Sequence, residues 1–196
     1  MQVIGIKYYN DLQQKIPRDE ILYFKNIISK ILNKYFKLQI YLAGSYRTGQ
    51  EYSKDIDIII VSDKINNEDQ LKTSGLFKKI ISKLEYSNII YDKIDNEINS
   101  ALIIGKIPES YNKFKPHIFR HIDIRLVPKN ILHFYMLYFG SGVSFSRKIR
   151  GLAKKKGYKL TRTGLLDLKT NKYINLKTEK SIFKFLDMEY VNPENR

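Results

Sequence analysis

The sequence predicts an α+β protein, with a β-sheet backed by helices over residues 1–134 and a small α+β lobe over 135–196. Three features point that way. Short apolar or alternating runs recur near 38–43, 58–61, 89–94, 102–107 and 121–128, lengths that suit strands. Apolar residues at helical spacing fill two longer segments. After residue 135 the pattern shifts to a basic amphipathic stretch, a hairpin signal and a last capped helix.

Between about Asp19 and Phe36, the residues Ile21, Phe24, Ile28, Ile31 and Tyr35 form one stripe, with Pro17 ahead of the start, so a helix is expected to pack behind the sheet. Leu38 to Ala43 reads as a strand and Gly44-Ser45 as a tight turn. The residues after them start a helix, leaving backbone N–H groups that suit an anionic phosphate. Asp55 and Asp57 open the apolar strand Ile58 to Val61, and their two-residue spacing places both carboxylates on one face. Such a pair repels unless a cation neutralises it, and oxygen ligands beside phosphate favour Mg²⁺ over zinc. Taken alone, Asp-x-Asp reads equally well as a solvated strand end, and Gly-Ser as an ordinary turn.

A second helix is expected around Asp69 to Leu84, with Phe77, Ile80, Ile81 and Leu84 inward, then strands near 89–94 and 102–107 and a loop from Pro108 to Pro116. The strand His121 to Pro128 puts Ile122, Ile124 and Leu126 on one face and Asp123 and Arg125 on the other. If it lies beside the Asp55 strand, three carboxylates converge and Arg125 orients one of them, which is a two-metal arrangement. The competing reading is a half-buried strand with a structural Asp–Arg pair.

Composition favours a polyanionic partner: 35 Lys and Arg oppose 20 Asp and Glu, a net charge of +15. The excess is concentrated. Between Val143 and Leu166 stand Arg147, Lys148, Arg150, Lys154, Lys155, Lys156, Lys159 and Arg162, and no acid. Phe145, Ile149, Leu152 and Ala153 make one apolar stripe ended by Gly157, leaving the basic residues on the other faces, where phosphates can be met without reading sequence. A merely solvated face is the alternative. Asp167 to Leu176 suggests a hairpin turning near Thr170-Asn171, and Thr178 caps a last helix whose positive end Glu179 favours. There is no cysteine, which excludes disulfides and zinc-thiolate sites, and His117, His121 and His133 lack metal spacing. No apolar run is long enough to span a membrane, so no membrane partner is expected.

Gly44-Ser45-x-Arg47, Asp55-x-Asp57 and Ile122-Asp123-Ile124-Arg125-Leu126 resemble the palm motifs of the family X DNA polymerases, of which polymerase beta is the best-known member. The likeness runs on through Leu137-Tyr138-Phe139-Gly140-Ser141-Gly142, Arg147-Lys148-Ile149-Arg150 and Thr178 to Phe183, reaching Tyr190-x-x-Pro193. In length and architecture the chain looks most like the short viral form of the family. The resemblance implies a nucleotidyltransferase palm with a mixed β-sheet, no lyase domain, and a template-directed polymerase that fills short gaps in repair. On that resemblance Asp55, Asp57 and Asp123 would bind two Mg²⁺, with Mn²⁺ an admissible substitute, and Asp123 would assist deprotonation of the primer 3′-hydroxyl. Gly44, Ser45 and Arg47 would hold the β and γ phosphates of a dNTP, with Lys54 nearby, and Tyr138 and Phe139 would lie against its sugar and base. Arg125 would latch Asp57. His121 would face the primer phosphate and Arg150 the template, with Arg147, Lys148, Lys154, Lys155 and Lys156 on the DNA. The expected partner is gapped or primed duplex DNA, met by a monomer inside the cell, in cytoplasm or nucleus, or at a viral replication site or in the virion. A template-independent or RNA- or protein-modifying nucleotidyltransferase, or an inactive nucleic-acid-binding scaffold, are the alternatives.

Three positions depart from the family pattern. Thr48 replaces a second arginine, Lys54 stands where glycine is favoured, and Gly140-Ser141-Gly142 replaces Thr-Gly-Ser. Each is expected to tune nucleotide affinity or accuracy, because all three carboxylates remain.

Overall fold

Pro17, extended at φ −64° and ψ 150°, marks where the amino-terminal segment turns into its first long helix. Before it come a short helix α1 (Tyr9–Leu12) and the two-residue strand β1 (Ile16–Pro17); after it runs α2 (Arg18–Leu32), with Asp19 and Glu20 favouring its positive end. The computed structural model describes residues 6–111 and 118–196. The chain divides into two compact units, one of Met1–Leu42 with Glu51–Lys129, the other of Ala43–Gln50 with Asn130–Arg196.

In the first unit α2 buries Ile21, Phe24, Ile28, Ile31 and Leu32. Strand β2 (Leu38–Leu42) follows, and the one-turn helix α3 (Gly44–Arg47) belongs to the other unit. The chain returns through β3 (Tyr52–Ser53), which pairs with β1, and β4 (Asp55–Ser62). Helices α4 (Glu68–Ser74) and α5 (Leu76–Tyr86) lead to β5 (Ile90–Asn96), β6 (Ser100–Gly105) and β7 (Arg120–Leu126). The five-stranded sheet has the order β2-β4-β7-β6-β5 and is mixed: β4 and β7 run parallel, and the other neighbours antiparallel. Ile56, Ile58 and Ile60 of β4 and Ile122 and Ile124 of β7 are fully or almost fully buried. Arg120 is buried too, and donates to both oxygens of Glu20 at 2.7 and 2.8 Å and to the Gln14 carbonyl at 3.1 Å.

The second unit holds α6 (Leu132–Phe139), α7 (Val143–Lys155), a three-stranded antiparallel sheet of β8 (Tyr158–Thr161), β9 (Gly164–Asp167) and β10 (Lys172–Tyr173), and α8 (Glu179–Phe185). Its core joins Phe134, Leu137, Ile149, Ala153, Leu165, Ile182 and Phe183. Phe145 and Leu152 pack partly buried against it, completing the apolar stripe of α7. Gly157, at φ +85°, ends that helix in a conformation that favours glycine.

Several boundaries differ from the sequence reading. The first long helix stops at Leu32, so Tyr35 is 58% exposed rather than inward. Asn33 follows the helix, its side chain accepting from the Leu38 backbone, and the chain turns early into β2. The segment 69–84 is two helices, because Gly75 at φ +59° breaks the turn between α4 and α5. The hairpin expected over 167–176 is the distal half of a three-stranded sheet whose first strand, β8, the hydropathy pattern did not reveal. Residues 109–111 of the expected loop form a 3₁₀ turn; its remainder, 112–116, and His117 lie outside the described residues.

Candidate active site

In the first unit the parallel pairing of β4 with β7 sets Asp57 directly opposite Asp123 and Asp55 opposite His121. Ile56, Ile58, Ile122 and Ile124 point into the core, so the alternate positions Asp55, Asp57 and Asp123 share the other face. Three carboxylates on two adjacent strands repel one another. Burial, with the charges of Asp55 and Asp123, pushes the Asp57 carboxyl up to about 7 against only partial relief from Arg125. Burial also raises Asp123, opposed by Arg125, with Asp55 and Glu97 adding to the rise.

Arg125 donates to the Asp123 carboxylate. Asp123 stands two residues away on the same strand face, and the guanidinium also acts on Asp57 through its charge. Among the described residues no group of three His, Cys, Asp or Glu side chains stands ready to hold a metal ion. The donor set nonetheless fits a hard divalent cation, since it is all oxygen and its members are destabilised by mutual repulsion. Beside this set, Lys15, Lys54, Asp55 and His121 line an open groove with Tyr9 and Gln13. The sequence pattern does not point to Lys15, since one lysine before Pro17 carries no local signal.

In the second unit Gly44 takes φ +53° at the start of α3, the left-handed conformation that glycine permits. Thr48 donates to the Ser45 carbonyl at 3.2 Å, closing the turn where the family has a further arginine. Arg47 is engaged within its own unit. Its Nη1 donates to the Met136 carbonyl at 2.6 Å and its Nη2 to Glu179 at 2.7 Å, and its side chain is mostly buried. A guanidinium paired with a carboxylate and a carbonyl orders the turn that carries it. No local pattern signals this pairing, since Glu179 lies 132 residues away.

Tyr138 and Phe139 close α6, their rings edge to face with centroids 5.0 Å apart; Tyr138 is exposed and lies 5.7 Å from the Arg150 guanidinium. On α7, Arg147, Lys148, Arg150, Lys154 and Lys155 are all exposed, as is Lys156 just after it. They are not equivalent. Arg147, Arg150 and Lys154 line a groove with Lys159 over an apolar floor of Leu160 and Leu168, whereas Lys156 bonds Asp187 at 2.6 Å.

Comparison with known proteins agrees with this architecture. Residues 15–129 match the DNA polymerase beta palm model and 135–196 the DNA polymerase beta thumb model. The whole chain aligns with DNA polymerase lambda of Arabidopsis thaliana and of Rattus norvegicus at 24% identity each, covering 39% and 35% of those proteins. It aligns at 26% with DNA nucleotidylexotransferase of Xenopus laevis, covering 44%. It thus spans less than half the length of these relatives. Two Leishmania infantum polymerase beta structures, ternary complexes described as P/T and gap, superpose over the full chain with TM-scores of 0.88 and 0.90 at 25% and 23% identity, covering 81% and 74% of those chains.

Proposed function

We infer the reaction from one premise: this chain belongs to the polymerase beta family of nucleotidyltransferases, family X, by its palm and thumb matches. The proposed activity is template-directed gap filling in DNA repair. The primer 3′-hydroxyl attacks the α-phosphorus of a dNTP, a new phosphodiester forms, the bond to the β-phosphate oxygen breaks, and pyrophosphate leaves. The observation that carries this reading is the register that sets Asp57 opposite Asp123, with Asp55 on the same face.

Asp55, Asp57 and Asp123 would hold two Mg²⁺, or Mn²⁺ in their place. Bound there, the ions supply a lowered hydroxyl pKa and screening of the triphosphate charge. Asp123 steers the proton leaving the 3′-hydroxyl, and Arg125 sets the orientation of that carboxylate before substrate binds. The Gly44-Ser45 turn receives β and γ phosphates through backbone N–H groups, Tyr138 and Phe139 border the sugar and base, and the groove of Arg147, Arg150, Lys154 and Lys159 follows a DNA backbone. The enzyme is proposed to act as a monomer on gapped or primed duplex.

Extension of a one-nucleotide gap with each dNTP tests the reading. Asp123→Ala is expected to slow addition by about three orders of magnitude, the scale of losing a central electrostatic group, while sparing DNA binding. Extension by that variant at the wild-type rate would sink the assignment. A second reading, template-independent addition, draws on the likeness to the frog nucleotidylexotransferase. Preference for single-stranded over gapped DNA in the same assay would select it.

A further inference from the structure

Glu179 is the first residue of α8, one position past the Thr178 cap, and it faces two arginines at once. Its Oε1 accepts from Arg47 at 2.7 Å and its Oε2 from Arg196 at 2.7 Å, with only 10% of the side chain exposed. Arg196 has no exposed side-chain surface. Its Nε donates to the Val191 carbonyl at 2.8 Å, and its guanidinium lies 5.1 and 5.3 Å from the ring centres of Phe183 and Tyr190. Two desolvated cations thus share one carboxylate, so losing that anion would leave both charges buried.

The same cluster explains the unusual Gly140-Ser141-Gly142 turn. Gly140 has φ −111°, which any residue adopts, so glycine is required there by space. A Cβ at 140 would stand 2.6 Å from the Met136 carbonyl oxygen and run into the Arg47 side chain; at 142 it would stand 2.9 Å from the Arg196 carbonyl oxygen. The Arg47 side chain therefore crosses one end of the turn that follows Tyr138 and Phe139 and the Arg196 backbone the other, and Glu179 pairs with both guanidinium groups.

We propose that Glu179, acting through Arg47 and Arg196, is a positioning residue that holds the Gly44–Arg47 turn and the Gly140–Gly142 turn in a fixed arrangement. Resting on the polymerase reading, it thereby sets both the grip on the incoming triphosphate and the room left at the sugar. Arg47 serves the nucleotide through the placement of its turn. The glycines at 140 and 142 are the spatial counterpart of that clamp.

The test compares wild type, Glu179→Gln, Glu179→Asp and Gly140→Ala on a one-nucleotide gap with dNTP and rNTP. Glu179→Gln is expected to raise KM for dNTP about tenfold with kcat changed about twofold, and to narrow the preference for dNTP over rNTP several-fold, with DNA affinity unchanged. Gly140→Ala, which alters no charge, is expected to move the same constants by driving Arg47 aside, and Glu179→Asp to recover part of the loss. Amide exchange at 44–48 and 140–142 should accelerate together in Glu179→Gln and Gly140→Ala while β4 and β7 stay protected. Unchanged KM and sugar preference in a folded Glu179→Gln overturns the clamp and leaves the polymerase reading intact. Should Glu179→Gln not fold, Gly140→Ala and Glu179→Asp decide the same question. If wild type itself adds no nucleotide, the polymerase reading fails and exchange alone decides: joint acceleration supports the clamp, and independent behaviour of the two turns overturns it.

Discussion

Asp57 shows how a buried carboxylate is tuned by its neighbours. Burial and two adjacent acids lift it to about 7, so the folded chain holds its proton more tightly than the unfolded chain does. As pH rises from about 4 to about 7, the unfolded chain ionises first and the folded state loses stability; above that window the loss is complete. Thermal unfolding without divalent ions is therefore expected to show a midpoint that falls across this range, with a flatter profile in Asp57→Asn. A slope unchanged by that substitution would show that the pH response lies elsewhere. Added Mg²⁺ should stabilise the protein most near and above pH 7, where the carboxylates are free of protons. Arg125 bonded to Asp123 acts in the same sense, since one guanidinium offsets part of the repulsion that the strand register creates.

Helix α7 has a division of labour that its sequence only half announces. Its apolar stripe docks on the core of the second unit, which leaves the basic residues outside; the structure then separates them by face. Arg147 and Lys154 border the groove, while Lys156, just past the helix end, is tied to Asp187 in a surface pair that contributes little to stability. Reversal to Glu at Arg147 or Lys154 is expected to weaken DNA binding and lower the salt slope by about one for each phosphate no longer neutralised, with a smaller change for Lys156→Glu. Equal slopes for all three would remove the groove from the DNA-binding surface. The α4–α5 break is a simpler case. A Cβ at Gly75 meets nothing within 4 Å, but its φ of +59° disfavours any other residue, so Gly75→Ala should cost about 1 kcal/mol in chemical denaturation.

The chain forms two compact units, and each is built from two segments separated in sequence. Residues 43–50, which follow β2, group with the carboxy-terminal unit, where Arg47 is bonded to Met136 and Glu179. Phe24 anchors the first core and Phe183 the second, both fully buried. Phe24→Ala and Phe183→Ala should each cost about 3–5 kcal/mol, and residue-resolved exchange should show the loss first in the unit that carries the substitution. With a net charge of +15, the proposed binding to DNA is expected to weaken as ionic strength rises.

Much of this was legible along the chain. The alternation in 121–128, the Asp-x-Asp opening of β4, the Thr178 cap and the stripe of α7 rest on periodicities of two and 3.6 residues that covalent geometry imposes locally. Those periodicities put the three acids on defined strand faces whatever the pairing of the strands. Which strands lie side by side, that Asp57 meets Asp123 in parallel register, and that Arg47 answers to Glu179 instead of standing open are outcomes of docking between distant segments. Tyr35 failed for the same reason: its helical phase was right, but the helix ended at Leu32 and left it in solvent. Local spacing dictates which way a side chain faces on its own element. Its partner is chosen by how buried surfaces and desolvated charges find mates across the chain, and that information resides in the assembled fold.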